Sequence, residues 1–339
     1  MELSDLHCCH AIEYCFPSNN ASCLKEIRST AVYAILYTVL VAAICVTVCG
    51  NLVVIISISH FKQLHTPTNL LLLSLAVADF LVGTMVMPFV FNLFIESCWY
   101  FGDILCSILK LLDSVLISVS LSNLAFIAID RYFAVCDPLL YSTKINFKMM
   151  RLFILCSWLL FPPYRLALLY FNGNFDGPDT LSICLGQCFF VMSANWRIID
   201  LIVTLILPCS IMIGLYVNIF IVATRQARVI SSITQQILSM DKRRNKISKK
   251  SERKAAKTLG IVVFVFLFCW VPYYLCVLIE EEMHTSSGVL YFLGFIVYLN
   301  SAMNPIIYAL FYPWFKKSVK LIITLRICNP DSSLISLTM

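Results

Sequence analysis

Seven separate stretches of this chain are apolar and long enough to cross a lipid bilayer. They cover residues 31–58, 69–95, 106–134, 149–170, 196–224, 256–279 and 288–311. A membrane-spanning helix needs about 20 mostly apolar residues, whereas a strand of a membrane barrel is only about 9–11 residues long. Hydrophobic residues make up 60% of the chain and charged residues 13%, unlike an ordinary soluble domain. The sequence therefore predicts an all-α fold, a seven-transmembrane helix bundle with a short amphipathic helix after helix 7.

The lysines and arginines predict the orientation of the bundle, because these residues accumulate in cytoplasmic loops. Most of the 25 lie on one side of the predicted spans, including the basic segment 225–257. With that side cytoplasmic, the chain is a multi-pass plasma membrane protein. We expect an extracellular amino terminus over residues 1–30, the seven-transmembrane domain over 31–311, and the amphipathic helix with a cytoplasmic tail over 312–339.

Motifs that carry enzymatic chemistry are missing from the sequence. There is no glycine-rich phosphate loop, nucleophile elbow or metal-ligand spacing, and all five histidines fall in predicted loops or termini. A basic segment beside a membrane helix is typical of a cytoplasmic partner-binding loop rather than a nucleic-acid site. We predict no enzymatic activity, no cofactor and no nucleic-acid partner, with membrane lipid around the bundle. An organic-cation transporter is the alternative of another class, although no internal repeat supports it.

Two acidic residues, Asp113 and Asp200, lie in the outer halves of otherwise apolar segments. A charged group at the centre of a membrane helix costs about 2.5–3.5 kcal/mol on insertion scales, so each carboxylate needs a partner. At 1.5 Å per helical residue, Asp113 lies about 10 Å below Cys106, a depth suited to a pocket open to the outside. A diffusible organic cation is the predicted partner of both. The alternatives are structural pairs with Lys110 for Asp113 and with Arg197 for Asp200.

Several polar and proline-containing motifs follow one another in a fixed order along the predicted spans. They are Gly50-Asn51, Leu75-Ala76-Val77-Ala78-Asp79, Asp130-Arg131-Tyr132, Trp158, Pro208, Cys269-Trp270-Val271-Pro272 and Asn304-Pro305-Ile306-Ile307-Tyr308. In this order they resemble the rhodopsin-like G protein-coupled receptors over essentially the whole chain. The run Asn300-Ser301-Ala302-Met303-Asn304-Pro305, continued by Tyr308, Tyr312, Trp314 and Phe315, resembles the fingerprint of the vertebrate trace amine-associated receptors.

The resemblance implies an amine-binding site in the outer half of the bundle. In amine receptors the aspartate that matches Asp113 pairs with the ligand ammonium, and the tyrosine that matches Tyr298 hydrogen-bonds that carboxylate. The other expected lining residues are Ser114, Thr204, Trp270, Tyr273 and Tyr274. Within the family, acidic residues at the positions of both Asp113 and Asp200 look like the diamine-recognising pattern, which implies a diamine such as cadaverine or putrescine, or a polyamine. The closer alternative is a monoamine receptor that uses Asp113 only.

The resemblance also implies how ligand binding reaches the cytoplasm. Trp270 forms the pocket floor, helix 6 bends at Pro272, and Arg131 pairs with Asp130 and Glu252 in the inactive receptor. The other residues expected to act in activation or coupling are Tyr132, Tyr216, Phe266, Asn304, Pro305 and Tyr308. The implied partner is a heterotrimeric G protein of the stimulatory, cAMP-raising type, with arrestin as a further partner. Most family members are olfactory, which implies the cilia of olfactory sensory neurons.

Four further features are expected from the sequence. The resemblance implies a sodium ion in the polar set Asp79, Ser120, Asn300, Ser301 and Asn304, with a network of water molecules as the alternative. The resemblance implies two disulfides, Cys106 to Cys188 and Cys23 to Cys184, and leaves Cys8, Cys9, Cys15 and Cys98 unassigned. Asn20 begins a glycosylation sequon in the extracellular segment, and Cys328, just past the amphipathic stretch, is a predicted palmitoylation site.

Overall fold

The computed structural model describes residues 13–173, 184–188, 192–236, 260–277, 287–329 and 331–337. Within these residues, seven helices are long and apolar enough to cross a membrane. They are α1 (Thr30–His60), α2 (Pro67–Glu96), α3 (Asp103–Cys136), α4 (Phe147–Phe171), α5 (Ala194–Gln226, continuing to Gln236), α6 (Gly260–Val277) and α7 (Ser287–Phe311). The predicted amphipathic helix follows as α8 (Pro313–Ile323). The expected all-α bundle of seven spans is therefore confirmed.

Several helices begin where a side chain caps their first free backbone amides. Ser29 accepts from the amide of Val32 before α1, Thr66 accepts from Asn69 before α2, and Asn146 accepts from Met149 before α4. Proline at the first position of α2 has the backbone angle of a helix and lacks only an amide hydrogen that would be unpaired there. These caps set the helix starts within a few residues of the predicted spans.

Polar residues inside the bundle join the helices to one another. The Nδ2 atom of Asn51 in α1 donates to the carbonyl of Ser301 in α7 at 3.1 Å. Next to it, Gly50 packs so tightly on Pro305 that a Cβ atom there would lie 2.6 Å from the proline ring. Without water, hydrogen bonds and close backbone packing supply much of the attraction between membrane helices. This contact positions α7, which carries the site residue Tyr298.

The end of the bundle predicted to be extracellular is covered by a hairpin that two disulfides hold in place, and another disulfide ties α3 to the neighbouring segment 184–188. The hairpin consists of β1 (Glu13–Tyr14) and β2 (Leu24–Lys25), paired antiparallel. Cys23 is bonded to Cys184 and Cys106 to Cys188, as expected. A third bond joins Cys15 to Cys98 at the end of α2, a pairing that the sequence left unassigned. Cys8 and Cys9 lie outside the described residues.

Besides α2, which has a π-helical turn over Val82–Val86, two helices have local irregularities in their outer halves. In α5, a π-helical turn over Ile202–Ile206 begins two residues after Asp200. In α4, Pro162 and Pro163 lie inside the helix, directly before Tyr164 and Arg165. Proline removes a helical hydrogen bond, and π-helical turns often occur at functional sites. The irregular turns therefore lie beside the charged residues of the two helices.

Candidate functional site

Asp113 lies in α3 and has one neutral hydrogen-bond partner. The hydroxyl of Tyr298 in α7 donates to its Oδ2 atom at 2.8 Å. The Oδ1 atom is buried and has no hydrogen-bond partner among the described residues. No ion pair joins Lys110 to Asp113 in the part of the chain that the structure describes, unlike the alternative considered from the sequence. A buried carboxylate oxygen without a donor is costly, so this atom is available to a hydrogen-bond donor from outside the described residues.

Aromatic rings pack next to the tyrosine that holds this carboxylate, and others stack along α6. The ring of Tyr298 meets Phe91 edge to face, with centroids 5.6 Å apart. In α6, Tyr274 stacks on Trp270 at 5.6 Å, and Trp270 stacks on Phe266 at 5.7 Å. The electron-rich faces of such rings attract cations. The α6 stack also runs from the level of the carboxylates to the buried core.

Asp200 has a different environment, because an arginine neutralises it. The Nη1 atom of Arg165 in α4 donates to Asp200 Oδ1 at 2.7 Å, and the Tyr164 hydroxyl donates to the same oxygen at 3.2 Å. Arg165 also donates to the Ser118 hydroxyl in α3 through Nε at 3.1 Å and Nη2 at 2.8 Å. We call Arg165, Asp200, Ser118 and Tyr164 the Arg165 cluster. It links α3, α4 and α5 in the outer half of the bundle.

Asp200 pairs with Arg165 and not with Arg197, the arginine considered from the sequence. Arg197 lies one turn away on the same helix, but its Nη2 atom donates to the carbonyl of Met192 at 3.2 Å. Sequence reasoning missed Arg165, although a signal was available. An arginine inside an apolar span is rare and requires a partner, as an aspartate does. Matching the intramembrane charges of opposite sign would have suggested Arg165 as a partner for Asp200.

The remaining polar residues expected in the site use their hydroxyl hydrogens locally. Ser114 donates to the carbonyl of Leu111 at 2.9 Å, and Thr204 donates to the carbonyl of Asp200 at 2.6 Å. Both bonds lie within one helix, so each oxygen retains acceptor capacity for a ligand. Tyr273 packs edge to face on Tyr274 with centroids 5.9 Å apart. The geometry thus leaves Asp113 as the carboxylate without a cationic partner in this group.

A second polar cluster surrounds Asp79, deeper in the bundle. Ser301 donates to Asp79 Oδ1 at 2.8 Å, and Asn304 Nδ2 donates to Oδ2 at 2.7 Å. Beside them lies a cavity of about 20 Å³, also lined by Ser120, Asn300 and Trp270. The Ser120 hydroxyl is buried beside Asp79 and makes no hydrogen bond of normal length and angle to the described residues. One water needs roughly 10–15 Å³, so this cavity suits a water or a small ion and not an organic ligand.

At the cytoplasmic end, Arg131 pairs with Asp130 as expected. Its Nε atom donates to Asp130 Oδ2 at 2.8 Å, and its Nη2 atom also contacts this carboxylate. Two residues that the sequence did not indicate complete the cluster. The Thr68 hydroxyl donates to Asp130 at 2.8 Å and accepts from Arg131 at 2.7 Å, and the Tyr141 hydroxyl donates to Asp130 at 3.1 Å. Glu252, the other expected partner, lies outside the described residues.

Of the other residues expected to act in coupling, the tyrosines lie near this end of the bundle and the prolines lie within their helices. The hydroxyls of Tyr216 and Tyr308 are buried and have no hydrogen-bond partner among the described residues. Tyr132 packs on the apolar cluster of Val135 and Ile219. Pro272 lies within α6 and Pro305 within α7. The two residues predicted to be modified are exposed, Asn20 in the hairpin and Cys328 after α8.

Comparisons with known proteins agree with this architecture. The chain matches the family described as 7 transmembrane receptor (rhodopsin family) over residues 50–308. It is 44% identical to Trace amine-associated receptor 13c of Danio rerio over 96% of each chain, and 43% identical to Trace amine-associated receptor 6 of Pan troglodytes over 96% of each. It is 41% identical to Trace amine-associated receptor 1 of Homo sapiens, over 94% of this chain and 96% of the human protein.

These proteins are receptors and not enzymes. Their family implies a small-molecule ligand, a G protein partner and a place in the plasma membrane as a multi-pass protein. The seven apolar helices and the long, nearly complete matches lead to one assignment. The chain belongs to the rhodopsin family of seven-transmembrane receptors and, within it, to the trace amine-associated receptors.

Proposed function

We propose that this receptor binds an organic amine through Asp113. The observation that carries the proposal is the buried Oδ1 atom of Asp113, which has no hydrogen-bond partner among the described residues while Tyr298 holds the other oxygen. An ammonium about 4 Å from a carboxylate gains about 4 kcal/mol at an effective dielectric constant near 20, before desolvation. It also supplies N–H donors for the free oxygen. A neutral or anionic ligand would leave this buried charge uncompensated.

Aromatic side chains would hold the rest of the ligand. A cation over an aromatic face gains about 0.5–2 kcal/mol, more when water is excluded. Tyr298 is hydrogen-bonded to Asp113, and the α6 stack of Tyr274 and Trp270 includes rings expected to line the pocket. Tyr273 packs against this stack. The aliphatic or aromatic body of an amine would therefore lie against α6, with Ser114 and Thr204 as acceptors for any donor on it.

The same stack supports a path for activation. A ligand that pushes on Trp270 would act on Phe266 and on the segment around Pro272, where a helix bends more easily because proline removes a hydrogen bond. At the inner end, an outward movement of α6 would release Arg131 and expose Tyr216 and Tyr308. A helix of a G protein could then bind in the opened groove. The proposed partner is a stimulatory, cAMP-raising G protein, with arrestin binding after activation.

The direct test is a cell assay that measures both signalling and transport. Cells expressing the receptor should raise cAMP in response to a panel of amines, and the Asp113→Asn variant should not respond at equal surface expression. Uptake of a labelled amine should stay at the level of untransfected cells. Uptake without a change in cAMP would instead support the organic-cation transporter.

A diamine or polyamine, such as cadaverine or putrescine, is the second candidate ligand. Asp200 favours it as a further carboxylate in the outer half, whose Oδ2 atom accepts no hydrogen bond from the described residues. The ion pair with Arg165 disfavours a diamine, because a second ammonium would have to share Asp200 with a guanidinium. A monoamine held by Asp113 alone agrees better with the geometry. A dose–response series of linear diamines and matching monoamines separates the two.

The Asp79 cluster supports a proposed allosteric sodium ion. The side chains around the Asp79 carboxylate offer oxygen atoms, the type of ligand that hard cations prefer. The buried Ser120 hydroxyl adds one more oxygen ligand. Asp79, Ser120, Asn300, Ser301 and Asn304 would hold the ion. The described part of the chain has no group of three or more His, Cys, Asp or Glu residues placed to hold a metal ion, and sodium is the one metal ion that we propose.

Three finer features also belong to the proposal. The family resemblance favours expression in the cilia of olfactory sensory neurons, where ligand-evoked cAMP would excite the cell. Glycosylation at Asn20 is favoured by its exposure in the extracellular hairpin. Palmitoylation at Cys328 is favoured by its exposed position directly after α8, whose apolar face would lie on the inner leaflet.

A further inference from the structure

Asp113, Asp200 and Arg165 together carry one net negative charge. Asp113 and Asp200 contribute two negative charges and Arg165 one positive charge. A guanidinium does not lose its proton in a protein, so this positive charge is permanent. Arg165 also interacts electrostatically with Asp113. The charges of Asp113, Asp200 and Arg165 all interact with the hydroxyl of Tyr274. The three residues therefore form one electrostatic unit that matches a ligand with a single positive charge.

Each nitrogen of the Arg165 guanidinium donates a hydrogen bond. Its side chain is 6% exposed, and its three nitrogens donate to Asp200 and, twice, to Ser118. The guanidinium also lies over the ring of Tyr164, 5.5 Å from the centroid. These contacts come from α3, α4 and α5. A ligand ammonium that displaced Arg165 from Asp200 would leave a buried guanidinium with only hydroxyl and aromatic partners, which is unfavourable.

We propose that Arg165 is a specificity-determining residue that makes this receptor select amines with one charge over diamines. The inference rests on the proposed binding of an ammonium by Asp113. Asp200 keeps one carboxylate oxygen, Oδ2, that accepts no hydrogen bond from the described residues, while Arg165 occupies the other. The end of the ligand that reaches Asp200 is therefore a neutral group that donates a hydrogen bond, such as a hydroxyl. The ligand class is a monoamine with a neutral polar far end.

The test compares two linear probes of matching length, cadaverine with two ammonium groups and 5-aminopentan-1-ol with one. The unmodified receptor should respond to the amino alcohol at a lower concentration than to cadaverine. Arg165→Gln keeps a long polar side chain for Ser118 but removes the charge, so cadaverine should gain at least about tenfold in relative potency. Arg165→Lys keeps the charge and should keep the preference of the unmodified receptor. Arg197→Gln, the matched arginine on α5, should leave the potency ratio unchanged.

A double variant controls for misfolding of the single variant, in which Asp200 loses its partner. Arg165→Gln combined with Asp200→Asn removes both charges of the buried pair, so neither partner is left unpaired, and the net charge returns to that of the unmodified receptor. It should again prefer the amino alcohol. A preference of the unmodified receptor for cadaverine, or a potency ratio unaffected by Arg165→Gln, would overturn the inference.

The failure of this inference is distinguishable from failure of the proposed function. If Arg165 has no effect on the ratio while Asp113→Asn still silences every amine response, the amine site stands and only the role of Arg165 is wrong. If amine responses survive Asp113→Asn, the site itself lies elsewhere.

Discussion

Asp113 and Asp200 are both carboxylates in the same half of the bundle, yet only Asp200 has a cationic partner in the described part of the chain. Asp113 has a tyrosine hydroxyl on one oxygen and no partner among the described residues on the other. Asp200 has an arginine and a tyrosine on one oxygen. In this respect it resembles Asp130 at the cytoplasmic end, which also pairs with an arginine beside a hydroxyl residue. A carboxylate in the membrane therefore indicates a ligand only when no internal cation already neutralises it.

The largest expected effect comes from removing the charge of Asp113. Asp113→Asn should raise the half-maximal amine concentration by about a hundredfold or more, because a pair worth about 4 kcal/mol is lost. The measurement is a cAMP dose–response curve at matched surface expression. Asp103→Asn is the control, since this exposed aspartate lies in the first turn of the same helix. Equal losses in both variants would show that potency depends on the total negative charge near the outer end of α3 and not on Asp113 itself.

The next effect tests whether Asp200 is structural. Asp200→Ala leaves the guanidinium of Arg165 buried without its counter-ion, and breaking a buried pair costs about 3–5 kcal/mol. The purified receptor should melt several degrees lower, as measured by thermal unfolding in detergent. Combining Asp200→Leu with Arg165→Met removes both charges and should restore most of the lost stability. If the single variant is as stable as the unmodified receptor, the pair contributes nothing.

A smaller effect is expected from the hydrogen bond that holds Asp113. Tyr298→Phe removes the donor to Oδ2 and keeps the ring, and a hydrogen bond to a charged group is worth about 1.5–3 kcal/mol. Amine potency should therefore fall by about tenfold, in the same dose–response assay. Tyr170→Phe changes an exposed tyrosine near the end of α4 and should have no effect. A loss as large as that of Asp113→Asn would mean that Tyr298 contacts the ligand itself.

The smallest effect extends the comparison to Asp79, a carboxylate whose described partners are all neutral. Replacing potassium by sodium in the assay buffer should lower amine potency by about two- to threefold, because the proposed ion would stabilise the inactive bundle by mass action. Ser301→Ala removes the donor to Asp79 Oδ1 and should reduce this salt effect. Sodium dependence that is unchanged in the variant would place the ion elsewhere.

Local physical chemistry explains why so much of the fold could be predicted. Long apolar runs specify helices in a membrane, since the backbone must satisfy its own hydrogen bonds there. The rise per residue places Asp113 at pocket depth, and the basic loops predict the orientation. The disulfide of Cys15 and Cys98 could not be assigned, because 83 residues separate the two cysteines and several pairings were open. Thr68 and Tyr141 were missed for a similar reason, since a hydroxyl gives no sign in sequence of which charge it will meet.

What the sequence by itself determined is the number of spans, their orientation, the depth of the two outer carboxylates and the family. Which carboxylate remains available to a ligand was decided only by the tertiary structure. Arg165 and Asp200 are 35 residues apart on different helices, and they meet only when α3, α4 and α5 pack together. The physical reason is that burial makes an unpaired charge so costly that opposite charges pair wherever helix packing brings them within reach, whatever their separation along the chain.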